Sequence, residues 1–282
     1  MIIDAHHHLW KLSRGDYSWL DSRREPALAA IERDYLLEDY RAVARSHGVS
    51  GSVVVQAAPT VAETQWLLQQ AKQSGGLIRG VVGWVDMAAK AAPDVLGRLA
   101  RDRLLRGIRP MLQDIPEIDW VLQPALDPAF RAIIALDLRF DVLIRPPYLA
   151  SALQALTRYP ELRSVVDHGA KPDIAGGMWQ TWADGIMRIA EETGAYCKIS
   201  GLVTEASSDW TAGTLRRYVD HLLECFGTDR LIWGSDWPVA TLASEYGRWL
   251  DTTAELLGSL PRDEREKVMA KNAISFYGLE AP

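Results

Sequence analysis

Short apolar segments rich in β-branched residues alternate with longer segments of helical periodicity along the whole chain. Short apolar runs of this kind are typical of buried strands, and helix-length segments between them favour parallel βαβ units. Eight such units predict an α/β fold, a (β/α)8 TIM barrel, formed as a single domain by residues 1–282. The predicted strands are Ile2–His8, Gly51–Ala57, Ile78–Val85, Leu105–Met111, Phe140–Arg145, Ser164–His168, Tyr196–Ser200 and Leu231–Ser235.

Glycines mark the ends of several predicted helices, because glycine readily takes the left-handed conformation that ends a helix. Two other segments lack periodicity and follow predicted strands directly. These are Lys11–Asp34, which is polar and aromatic, and Pro172–Gly177, and we expect both to form loops at the mouth of the barrel. The helices with readable ends are Leu36–His47 before Gly48, Thr60–Ser74 before Gly75, and Leu215–Phe226 before Gly227.

Composition narrows the classes of function. The formal net charge is -6, and no dense run of lysine and arginine occurs, which argues against a nucleic-acid partner. No apolar run approaches the roughly 20 residues that span a bilayer, and the amino terminus lacks the features of a secretion signal. We therefore expect a cytoplasmic protein with no membrane partner.

The chain has two cysteines, Cys197 and Cys225. Two thiols in a chain of this length do not form a disulfide framework. Both lie in apolar or helical segments, and we expect both to be buried as small hydrophobic side chains.

In a (β/α)8 barrel, catalytic residues lie at the carboxyl ends of the strands. The first predicted strand ends in Asp4-Ala5-His6-His7-His8. Side chains alternate along a strand, so His6 and His8 share a face while His7 points the other way. Two imidazoles on one face can coordinate a metal ion or bind a carbonyl oxygen. The alternative is that the histidines only make this end of the strand polar. We predict functional roles for His6 and His8 and a structural role for His7.

Two further strand ends carry candidate residues. His168 closes the sixth predicted strand before a glycine, which suits a nitrogen ligand or an acid, although a hydrogen-bonded core histidine is the alternative. Asp236 follows the eighth predicted strand, where a carboxylate is well placed as a general base. A helix N-cap is the alternative for Asp236, since aspartate commonly caps helices.

The other strand ends supply polar side chains for substrate binding. Three cations meeting at one mouth favour binding of a carbonyl, of hydroxyls or of a carboxylate, while salt bridges across the mouth are the alternative. The candidates are Gln56, Trp84, Arg109, Arg145 and Lys198.

Three motifs occur in order along the chain: Asp-x-His-x-His from Asp4, Asp-His-x-x-Lys-Pro from Asp167, and Gly-Ser-Asp-Trp-Pro from Gly234. Together they resemble a branch of the amidohydrolase superfamily, of the amidohydrolase-2 type, that contains sugar lactonases and a pyrone-dicarboxylate lactonase. The resemblance extends over nearly the whole chain and is greatest to the L-fuconolactonase and L-rhamnonolactonase group.

The resemblance implies a catalytic and metal-binding set of His6, His8, His168 and Asp236. The wider superfamily often has a bridging lysine or glutamate on the fourth strand and a histidine on the fifth. Here those strands offer Arg109 and Arg145, which argues against a two-metal site. The implied cofactor is one divalent ion, with zinc favoured, or none.

The expected activity is hydrolysis of an aldonolactone to the open aldonic acid, with Asp236 moving the proton and the ion or the histidines stabilising the oxyanion. Trp10, Trp84 and Trp237 are candidates to face the sugar ring, with packing as the alternative. An aromatic-acid decarboxylase and a non-catalytic sugar-binding barrel are the competing hypotheses. The expected partner is a small sugar lactone, and the oligomeric state is open, a homo-oligomer included.

Overall fold

The computed structural model describes residues 1–280. Eight parallel strands lie side by side in sequence order, from β1 to β8, within this part of the chain. Parallel neighbours require a crossover after every strand, and here each crossover carries a helix. The strands are β1 (Ile3–His7), β2 (Gly51–Val55), β3 (Ile78–Gly83), β4 (Leu105–Ile108), β5 (Arg139–Val142), β6 (Ser164–Val166), β7 (Tyr196–Ile199) and β8 (Leu231–Trp233).

The sheet curls so that β8 meets β1 at the carboxyl ends of the two strands. His7 forms a parallel bridge with Trp237 just beyond β8. The backbone N–H of His8 donates to the carbonyl of Trp237 at 2.7 Å, and that of Asp236 donates to the carbonyl of His6 at 2.7 Å. The predicted (β/α)8 barrel is thereby confirmed.

The helices surround the barrel and start close to where the sequence predicts. The side chain of Thr60 accepts a hydrogen bond from the backbone N–H of Glu63 and so caps the second helix. Gly48 and Gly227 follow the first and seventh helices with positive φ. The helices are α1 (Leu37–Ser46), α2 (Val61–Gln73), α3 (Ala92–Leu99), α4 (Asp127–Ala135), α5 (Leu149–Arg158), α6 (Gln180–Glu192), α7 (Ala212–Phe226), α8 (Tyr246–Leu256), α9 (Arg262–Glu266) and α10 (Asn272–Tyr277), with a π-helical segment at Lys267–Lys271.

The strands are shorter at their carboxyl ends than the sequence predicts. The fifth predicted strand reaches Arg145, but β5 ends at Val142, and the sixth reaches His168, but β6 ends at Val166. Apolar character continues past the last ladder hydrogen bond because these residues remain buried at the mouth, so hydrophobicity alone overestimates strand length. The backbone beyond each ladder is free to aim side chains into the mouth.

Two apolar layers stabilise the barrel. One lies between the strands and the surrounding helices, and the other fills the amino end of the barrel interior. Phe276, Tyr277 and Leu279, from α10 and the residues after it, close that end against Val53 and Val165. The chemistry is therefore confined to the opposite, carboxyl end. Among the described residues, no helix is long and apolar enough to cross a membrane.

The segment 11–34 forms a loop at the mouth, as predicted, with short 3-10 helices at Leu12–Arg14 and Pro26–Ala30. The indole N–H of Trp19 donates to the carbonyl of Ala57 at 2.7 Å and ties this loop to the end of β2. The expectation that both cysteines are buried is wrong for Cys225, which is partly exposed on α7, whereas Cys197 is buried in β7.

Candidate active site

A cavity of about 300 Å³ opens at the carboxyl end of the barrel. Its floor includes His8, Arg109, His168 and Asp236, which the sequence places at four different strand ends. The volume lies at the lower end of the range for small-ligand pockets, which suits a monosaccharide.

Three imidazoles converge on one carboxylate oxygen at this floor. Asp236 Oδ1 lies 3.3 Å from Nε2 of His8, 3.8 Å from Nε2 of His6 and 3.8 Å from Nε2 of His168. All four side chains are nearly or completely buried. The structure thus brings together the four residues that the sequence singled out.

Two of these four residues have backbone conformations that residues other than glycine rarely adopt. φ is +54° at His168 and +57° at Asp236, and the positive φ continues from His168 through Gly169 and Ala170 to Lys171. Left-handed backbone costs roughly 1–2 kcal/mol per non-glycine residue, so the surrounding fold must hold this turn in place. Trp182 contributes by donating its indole N–H to the carbonyl of Gly169 at 2.6 Å.

Gly201, just after β7, allows His168 and Asp236 to approach each other. A Cβ at this position would lie 2.6 Å from Nδ1 of His168 and 3.1 Å from Oδ2 of Asp236. Any side chain here would push the two groups apart. Sequence reasoning missed this residue, and its only signal is a glycine directly after a predicted strand.

Hydrogen bonds at the far side of each ring orient the imidazoles. Nδ1 of His8 lies 2.8 Å from the carbonyl oxygen of Val55, which can only accept, so Nδ1 carries the proton. Nδ1 of His168 lies 2.9 Å from the hydroxyl of Ser200. This arrangement leaves Nε2 of His8 as the ring nitrogen that faces Asp236.

Burial and charge set the protonation states. Burial opposes ionisation of Asp236, but the charge of His168 and the hydrogen bond to His8 outweigh it, and the pKa of Asp236 lies well below its ordinary value. Burial lowers the pKa of His168 to about 4. Burial and the neighbouring Lys198 likewise hold the pKa of His6 well below its ordinary value. Near neutral pH, the floor therefore contains an ionised carboxylate beside neutral His6 and His168.

Beneath the floor lies a buried ion cluster that the sequence did not predict. Lys198 Nζ contacts Oδ2 of Asp141 at 2.6 Å, Oδ1 of Asp167 at 2.9 Å and Nδ1 of His6 at 3.1 Å. The other oxygen of Asp167 lies 3.3 Å from Nη1 of Arg109. We call Arg109, Asp141, Asp167 and Lys198 the floor cluster. Its two cations and two carboxylates balance.

This geometry corrects two predicted binding residues. Lys198 was expected at the mouth, but its side chain is completely buried among carboxylates and does not line the cavity. Gln56 is also fully buried, and its amide donates to the carbonyl of Arg109 at 3.0 Å while its oxygens accept from Arg109. Gln56 therefore orients Arg109, because its polar atoms are already used.

The predicted tryptophans do not reach the cavity. Trp10 is fully buried and packs edge-on against Trp19, and Trp237 packs edge-on against Tyr35. Trp84 lies beyond β3 and does not line the cavity either. The apolar wall includes Trp19 instead, whose signal was an aromatic residue in the irregular segment 11–34.

The opening of the cavity carries four charged side chains, which we call the rim charges: Asp114, Arg145, Lys171 and Glu205. Of these, only Arg145 was a predicted binding residue. It lies in the loop after β5 with its side chain 48% exposed, and Lys171 belongs to the left-handed turn after β6. Asp114 and Glu205 come from short 3-10 helices, which no sequence motif marked.

The donor set fits one divalent ion. A tetrahedral zinc site with ligands at about 2.0–2.2 Å has ligand–ligand edges of about 3.3–3.6 Å. His6, His8 and Asp236 offer ligand atoms within 4.8 Å of one another, and the His8–Asp236 edge is 3.3 Å. Nε2 of His8 and Oδ1 of Asp236 are 3.3 Å apart, and two bare acceptors at that distance require a proton or a cation between them. Arg109 Nη1 lies 3.3 Å from Nε2 of His6 and competes for that lone pair.

Comparisons with known proteins identify relatives of the whole chain. An amidohydrolase family model matches residues 3–279. An L-fucono-1,5-lactonase of Burkholderia ambifaria is 41% identical over 99% of this chain and 96% of its own length. A second one, from Burkholderia multivorans, is 31% identical over 99% of this chain and 97% of its own length.

A solved structure shows the same fold. A Burkholderia multivorans amidohydrolase with bound zinc superposes with a TM-score of 0.91 at 30% identity, covering 99% of this chain and 100% of the other. The match in sequence and the match in structure both extend over nearly the full chain. The protein belongs to the amidohydrolase family.

Proposed function

We propose that this protein is a lactonase that hydrolyses a six-carbon aldonolactone of the L-fucono-1,5-lactone type to the open aldonic acid. The observation that carries the proposal is the ionised Asp236 at the floor of a monosaccharide-sized cavity, surrounded by three imidazoles. The lactonase relatives at 41% and 31% identity support the same reaction.

In the proposed mechanism, Asp236 takes a proton from the attacking water and returns it to the ring oxygen as the ester bond breaks. Its low pKa keeps it ionised throughout the working range of pH. His8 and His168 hold the carboxylate and water in place. Arg109 lines the cavity beside these groups, and we assign it to substrate binding.

We propose zinc, at most one ion per chain, as the cofactor. His8 and Asp236, with His6 or His168, would hold it. When bound, a zinc ion supplies an electrophile that polarises the lactone carbonyl and stabilises the developing oxyanion. Elemental analysis of gently purified protein should give between zero and one equivalent. Two tightly bound equivalents would contradict this assignment.

A panel of aldonolactones, read by proton release with a pH indicator, tests the activity. L-Fucono-1,5-lactone and its close stereoisomers should open with kcat/KM of about 10⁴–10⁸ M⁻¹s⁻¹. The Asp236→Asn variant serves as the control for spontaneous opening. Turnover separates an enzyme from a sugar-binding barrel. An inert lactone panel together with carbon dioxide release from a hydroxybenzoate would favour the decarboxylase instead.

A further inference from the structure

Glu205 lies between two cations at the opening of the cavity. Its Oε1 is 3.7 Å from Nζ of Lys171, and its Oε2 is 3.5 Å from Nη1 of Arg145. Each carboxylate oxygen thus faces a different cation. The carboxylate therefore weakens the positive field of both cations towards the cavity.

The position of Glu205 is fixed by the backbone. It ends the 3-10 helix Val203–Glu205 that follows β7, and its carbonyl accepts a hydrogen bond from the N–H of Ala175 at 3.0 Å. The side chain of Glu205 is 14% exposed and that of Lys171 is 15% exposed. Water screens such partly buried charges less than it screens surface pairs, so the sign of each charge matters to a ligand.

The four rim charges sum to zero. The two cations, Arg145 and Lys171, are balanced by the two carboxylates, Asp114 and Glu205. Burial raises the pKa of Asp114, against the opposing effect of the nearby charges of Lys171, Arg109 and Arg145. Removing the charge of Glu205 would leave a cavity with one uncompensated positive charge at its opening.

We propose that Glu205 is a specificity-determining residue that disfavours anions: it favours uncharged lactones over rings that bear carboxylates and weakens binding of the carboxylate product. The inference rests on the proposed lactonase function, because opening a lactone turns a neutral ligand into an anion inside this cavity. A site with free cations would retain that anion.

The Glu205→Gln variant tests the proposal through two anionic ligands. One is L-fuconate, measured as a competitive inhibitor, and the other is benzene-1,3-dicarboxylate, a dianionic ring that cannot be hydrolysed, measured by calorimetry. For charges about 7 Å apart and an effective dielectric of about 20–80, Coulomb's law predicts about three- to fiftyfold tighter binding of a carboxylate. The gain should shrink in high salt.

Two further variants provide the controls. Glu205→Asp keeps the charge and should keep the wild-type preference for neutral ligands. Glu192→Gln removes a carboxylate from an exposed pair with Arg188 on α6, outside the cavity, and should change neither anion affinity. Circular dichroism and thermal melting establish that each variant is folded.

The proposal is overturned if folded Glu205→Gln binds both anions within twofold of wild type, or if Glu205→Asp shows the same gain as Glu205→Gln. It is also overturned if the ratio of the L-fuconate inhibition constant to the lactone KM does not fall. Failure of the proposed lactonase function is separate, because it appears as an inert lactone panel in wild type while the dicarboxylate measurement still reports the effect of Glu205.

Discussion

Two groups of charges lie at the same end of the barrel, and their surroundings differ. In the floor cluster, Asp141, Asp167 and Lys198 are completely buried, and their contacts are 2.6–2.9 Å. At the rim, Arg145 is 48% exposed and its contact to Glu205 is 3.5 Å. Buried charges must be paired, since an unpaired one costs several kcal/mol, whereas exposed pairs contribute little to stability. The floor cluster therefore holds the surrounding site residues in a fixed geometry. The rim charges can differ with the substrate at little cost in stability.

The largest expected effect lies at the floor. Asp236→Asn keeps the shape of the side chain but removes the proton acceptor, so kcat should fall by about 10²–10⁴-fold. Steady-state kinetics on the best lactone measures it. Asp114→Asn, at the rim of the same cavity, is the matched control and should lose much less. A variant at position 236 that keeps more than about a tenth of the wild-type rate would exclude Asp236 as the base.

The floor cluster and the rim charges should differ in how much they contribute to the free energy of unfolding. Lys198→Met leaves Asp141 and Asp167 buried without their shared cation, and breaking such a buried pair costs about 3–5 kcal/mol. The matched change at the rim, Arg145→Met, should cost no more than about 1 kcal/mol. Thermal melting compares them, with about 2–4 °C expected per kcal/mol. Equal losses in the two variants would show that burial does not distinguish the clusters.

Acid should destabilise the floor through His168. Its pKa is about 4 in the folded protein against an ordinary 6.5, so between these values the unfolded chain binds a proton that the folded chain does not. Stability is therefore retained above pH 6.5 and falls as pH drops towards 4, by about 3 kcal/mol from this residue. Chelator-treated protein, melted at intervals from pH 7 to 4, should show this slope, and His168→Asn should reduce it. An unchanged slope in the variant would contradict the assignment.

The smallest effect is expected at the apolar part of the rim. Trp19 lines the cavity, and an aromatic face contributes about 0.5–1.5 kcal/mol beyond simple burial. Trp19→Leu should therefore raise KM for the lactone about two- to tenfold with a small change in kcat. Trp84→Leu, which alters a partly buried tryptophan outside the cavity, should leave KM unchanged. If Trp84→Leu raised KM and Trp19→Leu did not, Trp84 would be the tryptophan that contacts the substrate.

The sequence by itself determined the barrel, the family and the positions of His6, His8, His168 and Asp236 at strand ends. Alternation of strand and helix patterns leaves few topologies open, and in a parallel barrel all carboxyl ends of strands meet on one face, so local motifs converge without knowledge of side-chain contacts. Strand ends were less well predicted, since buried residues beyond the ladder remain apolar.

Only the tertiary structure decided which polar side chains face the cavity. Lys198 looked like a mouth residue because it is a cation near a strand end, yet Asp141 and Asp167, 57 and 31 positions earlier in the chain, hold it below the floor. Glu205 lies at the opening of the cavity and pairs with Arg145 and Lys171, which come from two other loops. Pairing of charges in a low-dielectric interior depends on distances in space, which one-dimensional spacing does not encode.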